Sequence, residues 1–129
     1  MAIKRIQIYD MDGTLVDSTH RYRTIDNVRI DLQHWRENSH LAMLDSLLPL
    51  AAQYRADLAD EECFVIIATA RVMGAEDWRF VNEILGMPDY FISRKPDDSR
   101  SGGLLKINGL QKFFNLKPFR NAVATFYED

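Results

Sequence analysis

The chain has 129 residues, 47% of them apolar and 27% charged, with a net charge of −3. That is the make-up of one soluble globular domain, and it excludes the strongly basic footprint that drives non-specific coating of nucleic acid, although it leaves action on a nucleic-acid end open. The single Cys63 excludes an internal disulfide, and with no apolar stretch of membrane-spanning length and no leader-like opening a cytoplasmic protein is expected.

The first predicted element is a strand around Ile6, Ile8 and Tyr9, followed by Asp10-Met11-Asp12-Gly13-Thr14-Leu15-Val16-Asp17. Gly13 marks a sharp change of direction, so Asp10 and Asp12 fall at or just beyond the carboxyl end of the strand, where open α/β sheets bind ligands. Two residues apart on extended backbone, the carboxylates point the same way. Like charges that close raise one pKa unless a cation lies between them. The pair suits one acid as metal ligand or nucleophile and the other as a carrier of protons. Asp12-Gly13 also fits a plain hairpin turn. Lys4, Arg5 and Gln7 interrupt the apolar run that a central strand should show.

From Ser18 to Ser39 the chain is polar and mixed, and one or two short helices over the active end of the sheet are expected, within an insertion that runs to about Leu44 as a short cap or flap. His20, His34 and His40 lack the i, i+4 spacing of a helical zinc motif and read as solvated surface. Ser46 reads as the N-cap of a helix with Pro49 in its first turn, along which Leu47, Leu50, Ala51, Tyr54 and Leu58 recur at helical spacing. Asp60-Glu61-Glu62 is its polar exit.

Cys63 to Thr69 is the continuous apolar run of a buried parallel strand. A hydroxyl at its tip can donate to a phosphate oxygen, and Arg71 can pair with a charged substrate; taken alone, Thr69 is as well read as a locally satisfied strand end. Between Ala75 and Leu85 the spacing predicts a helix with Trp78, Val81 and Leu85 inward, closed by Gly86 and Pro88. A short strand over 90–93 leads into the charged, glycine-rich stretch from Arg94 to Gly103, either plain surface or a substrate-contacting loop. A helix from Leu104 to Phe114 follows, with Ile107, Leu110 and Phe114 on one face and Lys106 near its start. There a lysine is unfavourable unless an anion lies beside it. Finally Ala122 to Tyr127 is a strand that delivers Glu128 and Asp129 at its carboxyl end, oxygen donors of the kind Mg²⁺ prefers. The alternation of strand and helix predicts an α/β fold with a mainly parallel sheet and helices on both faces.

Taken together, the Asp10-Met-Asp12-Gly13-Thr14 string after a strand, Thr69 at the tip of a second, Lys106 before the last helix and Glu128-Asp129 after the last strand resemble, in order, the four signatures of the haloacid dehalogenase (HAD) superfamily of phosphotransferases. The stretch from Arg94 to Lys106 resembles the phosphatase domains of phage-type polynucleotide kinases and their small stand-alone relatives. The resemblance implies a Rossmann-like three-layer sandwich with strand one central, flanked by strands two and four, as one domain over residues 1–129 with a minimal cap at about 18–44. It implies a Mg²⁺-dependent phosphomonoester hydrolase in which Asp10 attacks phosphorus and Asp12 protonates the leaving oxygen and later activates water. Thr69 and Lys106 hold the phosphoryl group, with Lys95 the rival for the lysine. Gly13, Thr14, Ala70, Arg71, Arg94 and Arg100 are the substrate-binding candidates. The metal would lie on Asp10, the backbone carbonyl of Asp12 and Asp129, with Glu128 in support. Members commonly continue past the fourth signature with a further loop and helix, where this chain ends at Asp129. A short cap leaves the site open to a nucleotide or a phosphorylated nucleic-acid end. The competing expectation is a module that kept the fold, binds phosphate or a partner, and lost turnover.

Overall fold

The computed structural model describes residues 3–18, 24–25, 29–30, 43, 45–114, 116–119 and 121–128. Along the chain these form strands β1 (Arg5–Tyr9), β2 (Val16–Asp17), β3 (Thr24–Ile25), β4 (Arg29–Ile30) and β5 (Ser46–Leu47), helix α1 (Leu50–Leu58), strand β6 (Cys63–Ala68), helix α2 (Ala75–Phe80) continued by a π-helical turn (Val81–Leu85), strand β7 (Tyr90–Ile92), helix α3 (Gly102–Phe114) and strand β8 (Val123–Tyr127). The central sheet runs β7-β6-β1-β8, and every pairing in it is parallel. β1 is thus central and flanked by the second and last of the expected strands.

Period-two alternation along β1 divides its side chains between two cores. Ile6 and Ile8 face α3, packing with Ile66, Ala68, Ile92, Leu110 and Phe113. Tyr9 faces the other way, into a cluster with Val65, Ile67, Ala51, Tyr54, Phe80, Val81 and Leu85. A sheet with a buried core on each face is a three-layer arrangement, and it explains why β6 is apolar throughout. The polar residues of β1 belong to the α1 face. Gln7 donates to Asp57 of α1 at 3.2 Å and to the Tyr127 hydroxyl at 2.9 Å, while Arg5 reaches Asp60 at 2.8 Å and Asp57 at 3.3 Å. The break in the hydrophobic pattern is therefore a hydrogen-bonded seam between sheet and helix.

Local details depart from the periodicity in three places. Ser46 is not a cap but part of β5, which pairs antiparallel with β2; α1 starts after Pro49, whose φ of −54° suits a helix start. In the insertion the described residues include an antiparallel pair, Thr24–Ile25 with Arg29–Ile30; the rest of the stretch expected to be helical, with His20, His34 and His40, lies outside the described residues. Trp78 is 38% exposed and packs at a tilt against Phe91, because Asp77, Phe80, Val81 and Leu85 take the inward positions. The π-helical turn shifts the face there, and Gly86, at φ 104°, ends it by donating to the Val81 carbonyl. In α3 the inward residues among the described side chains are Leu105, Lys106, Leu110 and Phe113, Ile107 is 56% exposed, and the Phe114 side chain lies outside the described ones. A Cβ on Gly109 would stand 2.9 Å from Ile92, so glycine is what lets α3 lie against β7.

Cys63 opens β6 and is buried. Burial pushes its thiol from the ordinary 9.0 up to about 11, and since the thiolate is the reactive form, the native chain is expected to resist a thiol reagent at pH 8 and to react at once in guanidinium. The same shift costs stability on the alkaline side. The unfolded thiol ionises first, so the stabilisation is lost as pH climbs from 9.0 to about 11. Fast labelling of the folded chain at pH 8 would show β6 to be open.

Candidate active site

Parallel register places several of the candidate side chains at one end of the sheet. Tyr9 lies opposite Ile67 on one side and Tyr127 on the other, so Asp10 emerges between the tips that carry Thr69 and Glu128. The backbone holds the point of emergence, with Asp10 N–H donating to the Tyr127 carbonyl at 2.9 Å. The lysine comes from α3: Lys106 Nζ is 3.2 Å from Asp10 Oδ1 and 3.0 Å from Glu128 Oε1, and its side chain is only 8% exposed. Lys95 is exposed. Burial pushes the Asp10 carboxyl above its ordinary range, and the Lys106 charge and the Met11 N–H at 2.8 Å pull it part of the way back.

Gly13 adopts φ 79° in the turn beyond Asp10, a conformation that favours glycine. Gly13 and Thr14, expected to contact substrate, sit in a turn that already engages both backbone N–H groups: Gly13 donates to the Val16 carbonyl at 2.9 Å and Thr14 to that of Met11 at 3.3 Å. The Thr14 hydroxyl, by contrast, is buried with no partner among the described residues. Thr69 is buried and its Oγ1 accepts the Arg71 N–H at 3.1 Å, which leaves the hydroxyl hydrogen to donate. Ala70 is exposed at the tip of β6 beside Gly102, the first residue of α3.

The arginines differ from the sequence expectation. Arg71 is turned inward, its side chain fully buried, and its guanidinium holds Asp12, Asp77 and Asp45. Burial works against that charge, but the three carboxylates outweigh it and hold the guanidinium pKa above its ordinary value. Arg94 organises the loop after β7, donating to the carbonyls of Ala70 at 2.9 Å, Asp98 at 2.8 Å and Arg100 at 2.6 Å. Arg100 forms a fork with Asp98 and holds that carboxyl down to about 2. Neither Asp45 nor Asp77 stood out in the sequence. The signal for Asp77 was its place three residues after Gly74, whose N–H it caps at 2.8 Å.

Among the described residues, the Asp10 and Glu128 carboxylates bring oxygen donors to this end, both within reach of Lys106. An all-oxygen set suits a hard cation such as Mg²⁺, which binds few protein ligands and keeps waters. Among the described residues no three metal-capable side chains gather, and Asp129, the expected ligand, lies outside them. No described helix is long and apolar enough to cross a membrane.

A family model described as bacteriophage T5 5′-deoxynucleotidase matches residues 1–87, a span that holds Asp10, Asp12, Thr69 and Arg71 and stops short of Lys106. Over 86 residues the chain is 33% identical to the 5′-deoxynucleotidase of Escherichia phage T5, an overlap of 63% of this chain and 35% of that protein. Two solved structures share the fold. One chain of a Pnkp1/Rnl/Hen1 complex superposes with a TM-score of 0.63 at 20% identity, over 96% of this chain and 38% of that one. A chain of the Pnkp1/Rnl/Hen1 RNA repair complex gives 0.61 at 18% identity, over 99% and 44%. The chain spans less than half the length of each of these relatives.

Proposed function

The chain belongs to the bacteriophage T5 5′-deoxynucleotidase family, and on that premise we propose that it is a HAD-type phosphomonoester hydrolase that removes phosphate from a nucleotide through an aspartyl-phosphate on Asp10, with Mg²⁺ as cofactor. The observation that carries the reading is the buried Lys106 ammonium 3.2 Å from Asp10 Oδ1. Phosphoryl transfer asks for positioned charge more than for covalent chemistry. A lysine beside a carboxylate at the mouth of a parallel sheet supplies that charge.

In this reading an Asp10 oxygen forms a bond to phosphorus as the bond to the leaving oxygen breaks, and Asp12 gives that oxygen a proton. Asp12 then takes a proton from water, whose oxygen attacks the same phosphorus, freeing phosphate and restoring Asp10. Lys106 balances charge on the transferring group, and the Thr69 hydroxyl donates to one of its oxygens. Asp10 and the Asp12 carbonyl would hold Mg²⁺, completed by Asp129. When bound, the cation offsets phosphate charge and keeps it in line.

The test presents deoxynucleoside 5′-monophosphates, oligonucleotides with 5′ or 3′ phosphate, and 4-nitrophenyl phosphate to the purified chain with Mg²⁺ or with EDTA. Release of phosphate from the deoxynucleotide in Mg²⁺ and none in EDTA is expected. Preferential release from a 3′-phosphorylated oligonucleotide would move the substrate to a nucleic-acid end. No release from any of them would leave the binding module as the better reading.

A further inference from the structure

An arginine two residues past the strand-tip threonine looks like a phosphate ligand, yet its geometry is that of a clamp. Arg71 Nε donates to Asp12 Oδ2 at 3.2 Å and Nη2 donates to Asp12 Oδ1, so both carboxylate oxygens are gripped by one rigid fork. The fork is itself fixed from behind. Nη1 donates to Asp77 Oδ1 at 2.8 Å, and Nη2 also approaches Asp45 Oδ2 at 3.4 Å. Asp45 and Asp77 are buried, with side chains at 0% and 1% exposure, and so is Arg71. On the other side Ser18 Oγ donates to Asp12 Oδ1 at 2.7 Å. Asp77 is in turn held by the Gly74 N–H at the start of α2, and Ser18 and Asp45 adjoin the paired strands β2 and β5.

We infer that Arg71 is a positioning residue for Asp12, and that Ser18, Asp45 and Asp77 complete the mount that aims the Asp12 carboxyl at the leaving oxygen. To meet a phosphate instead, the guanidinium would have to leave three carboxylates and a fully buried seat, abandoning charged partners in a place where water cannot replace them. A lysine could keep the charge there but not the two-point hold, because an ammonium has no planar fork. The inference rests on the phosphatase reading, since it assigns the mount to the residue that handles the proton.

The experiment exploits what Asp12 is for. A deoxynucleotide expels an alkoxide that needs the proton, whereas 4-nitrophenyl phosphate expels a phenolate that does not. For Arg71→Lys, Asp45→Asn and Ser18→Ala, kcat/KM is compared on both substrates, since that ratio ends with transfer to Asp10, and inorganic phosphate is used as a competitive inhibitor to read binding. The expected result is a loss of about tenfold or more on the deoxynucleotide, less than about threefold on the aryl phosphate, and phosphate inhibition unchanged within about twofold. Should Arg71→Lys fail to fold, Ser18→Ala and Asp45→Asn carry the same comparison.

Equal losses on the two substrates would reduce the cluster to a structural support and overturn the inference. So would weakening of phosphate inhibition by about tenfold in Arg71→Lys, the mark of direct contact with the substrate. An unmodified chain inactive on both substrates would remove the phosphatase reading itself and the inference with it.

Discussion

Replacing Asp10 by Asn is expected to lower turnover by about 10⁴-fold or more while leaving the fold in place. The amide has the shape of the carboxylate but no oxygen able to form and release a phosphate ester. The substitution also removes the charge that Lys106 faces at 3.2 Å, though the ammonium keeps Glu128 at 3.0 Å. Burial already presses the Asp10 carboxyl towards its neutral form, so a neutral replacement relieves a penalty even as it loses an ion pair. The two effects oppose, and thermal stability should change by no more than about 1 kcal/mol. Rapid acid quenching of the unmodified chain with radiolabelled substrate should trap label on the protein, and the variant should trap none. Full turnover by a correctly folded Asp10→Asn chain would remove Asp10 as the nucleophile.

The parts of this site that were legible in the sequence are those written in short, contiguous patterns. Asp10 and Asp12 follow their strand directly, Thr69 ends the most apolar run in the chain, and parallel pairing then brings both to one end. Lys106 was legible as a lysine near the start of a helix expected from Leu104; α3 begins two residues earlier, at Gly102, which puts Lys106 in its second turn, and its ion pair with Asp10 is what the position provides. The burial of Arg71 was not legible because its partners, Asp12, Asp45 and Asp77, come from three separate segments and only the first looked functional. The β2–β5 pairing is two residues long on each side, too short for alternation to register. Trp78 and Ile107 fit a helical face on spacing alone, yet the π-helical turn after Phe80 and the approach of Gly109 to Ile92 set which face is actually inward. The polar residues in β1 were visible as a misfit but not as a design, because their acceptor, Asp57, lies fifty residues further along.

That seam carries the largest stability effect expected in the chain. Asp57, in the last turn of α1 and buried, accepts from Gln7 and from the Tyr9 hydroxyl, and takes a longer contact from Arg5. Burial and the Asp57 carboxylate both push the Tyr9 phenol above its ordinary range, which keeps its proton available to donate. Asp57→Ala would strand the Tyr9 hydroxyl, which among the described residues would keep only the donor Gln53 at 2.9 Å, and would leave Gln7 with the Tyr127 hydroxyl as its described partner. Each unsatisfied buried group costs about 1–3 kcal/mol. Arg5 is 42% exposed, so water compensates most of its loss. The sum is about 2–6 kcal/mol, a large share of the roughly 5–15 kcal/mol that holds a domain folded, and a fall in Tm of roughly 8–24 °C by calorimetry is expected. If the cost comes from stranded partners rather than from any intrinsic worth of the carboxylate, removing the partners too should restore much of it. The combination Asp57→Leu, Gln7→Leu and Tyr9→Phe should then melt well above Asp57→Ala alone, because matched apolar groups in a buried seam are often neutral or better. A triple variant no more stable than the single one would instead assign the seam's stability to the charge on Asp57.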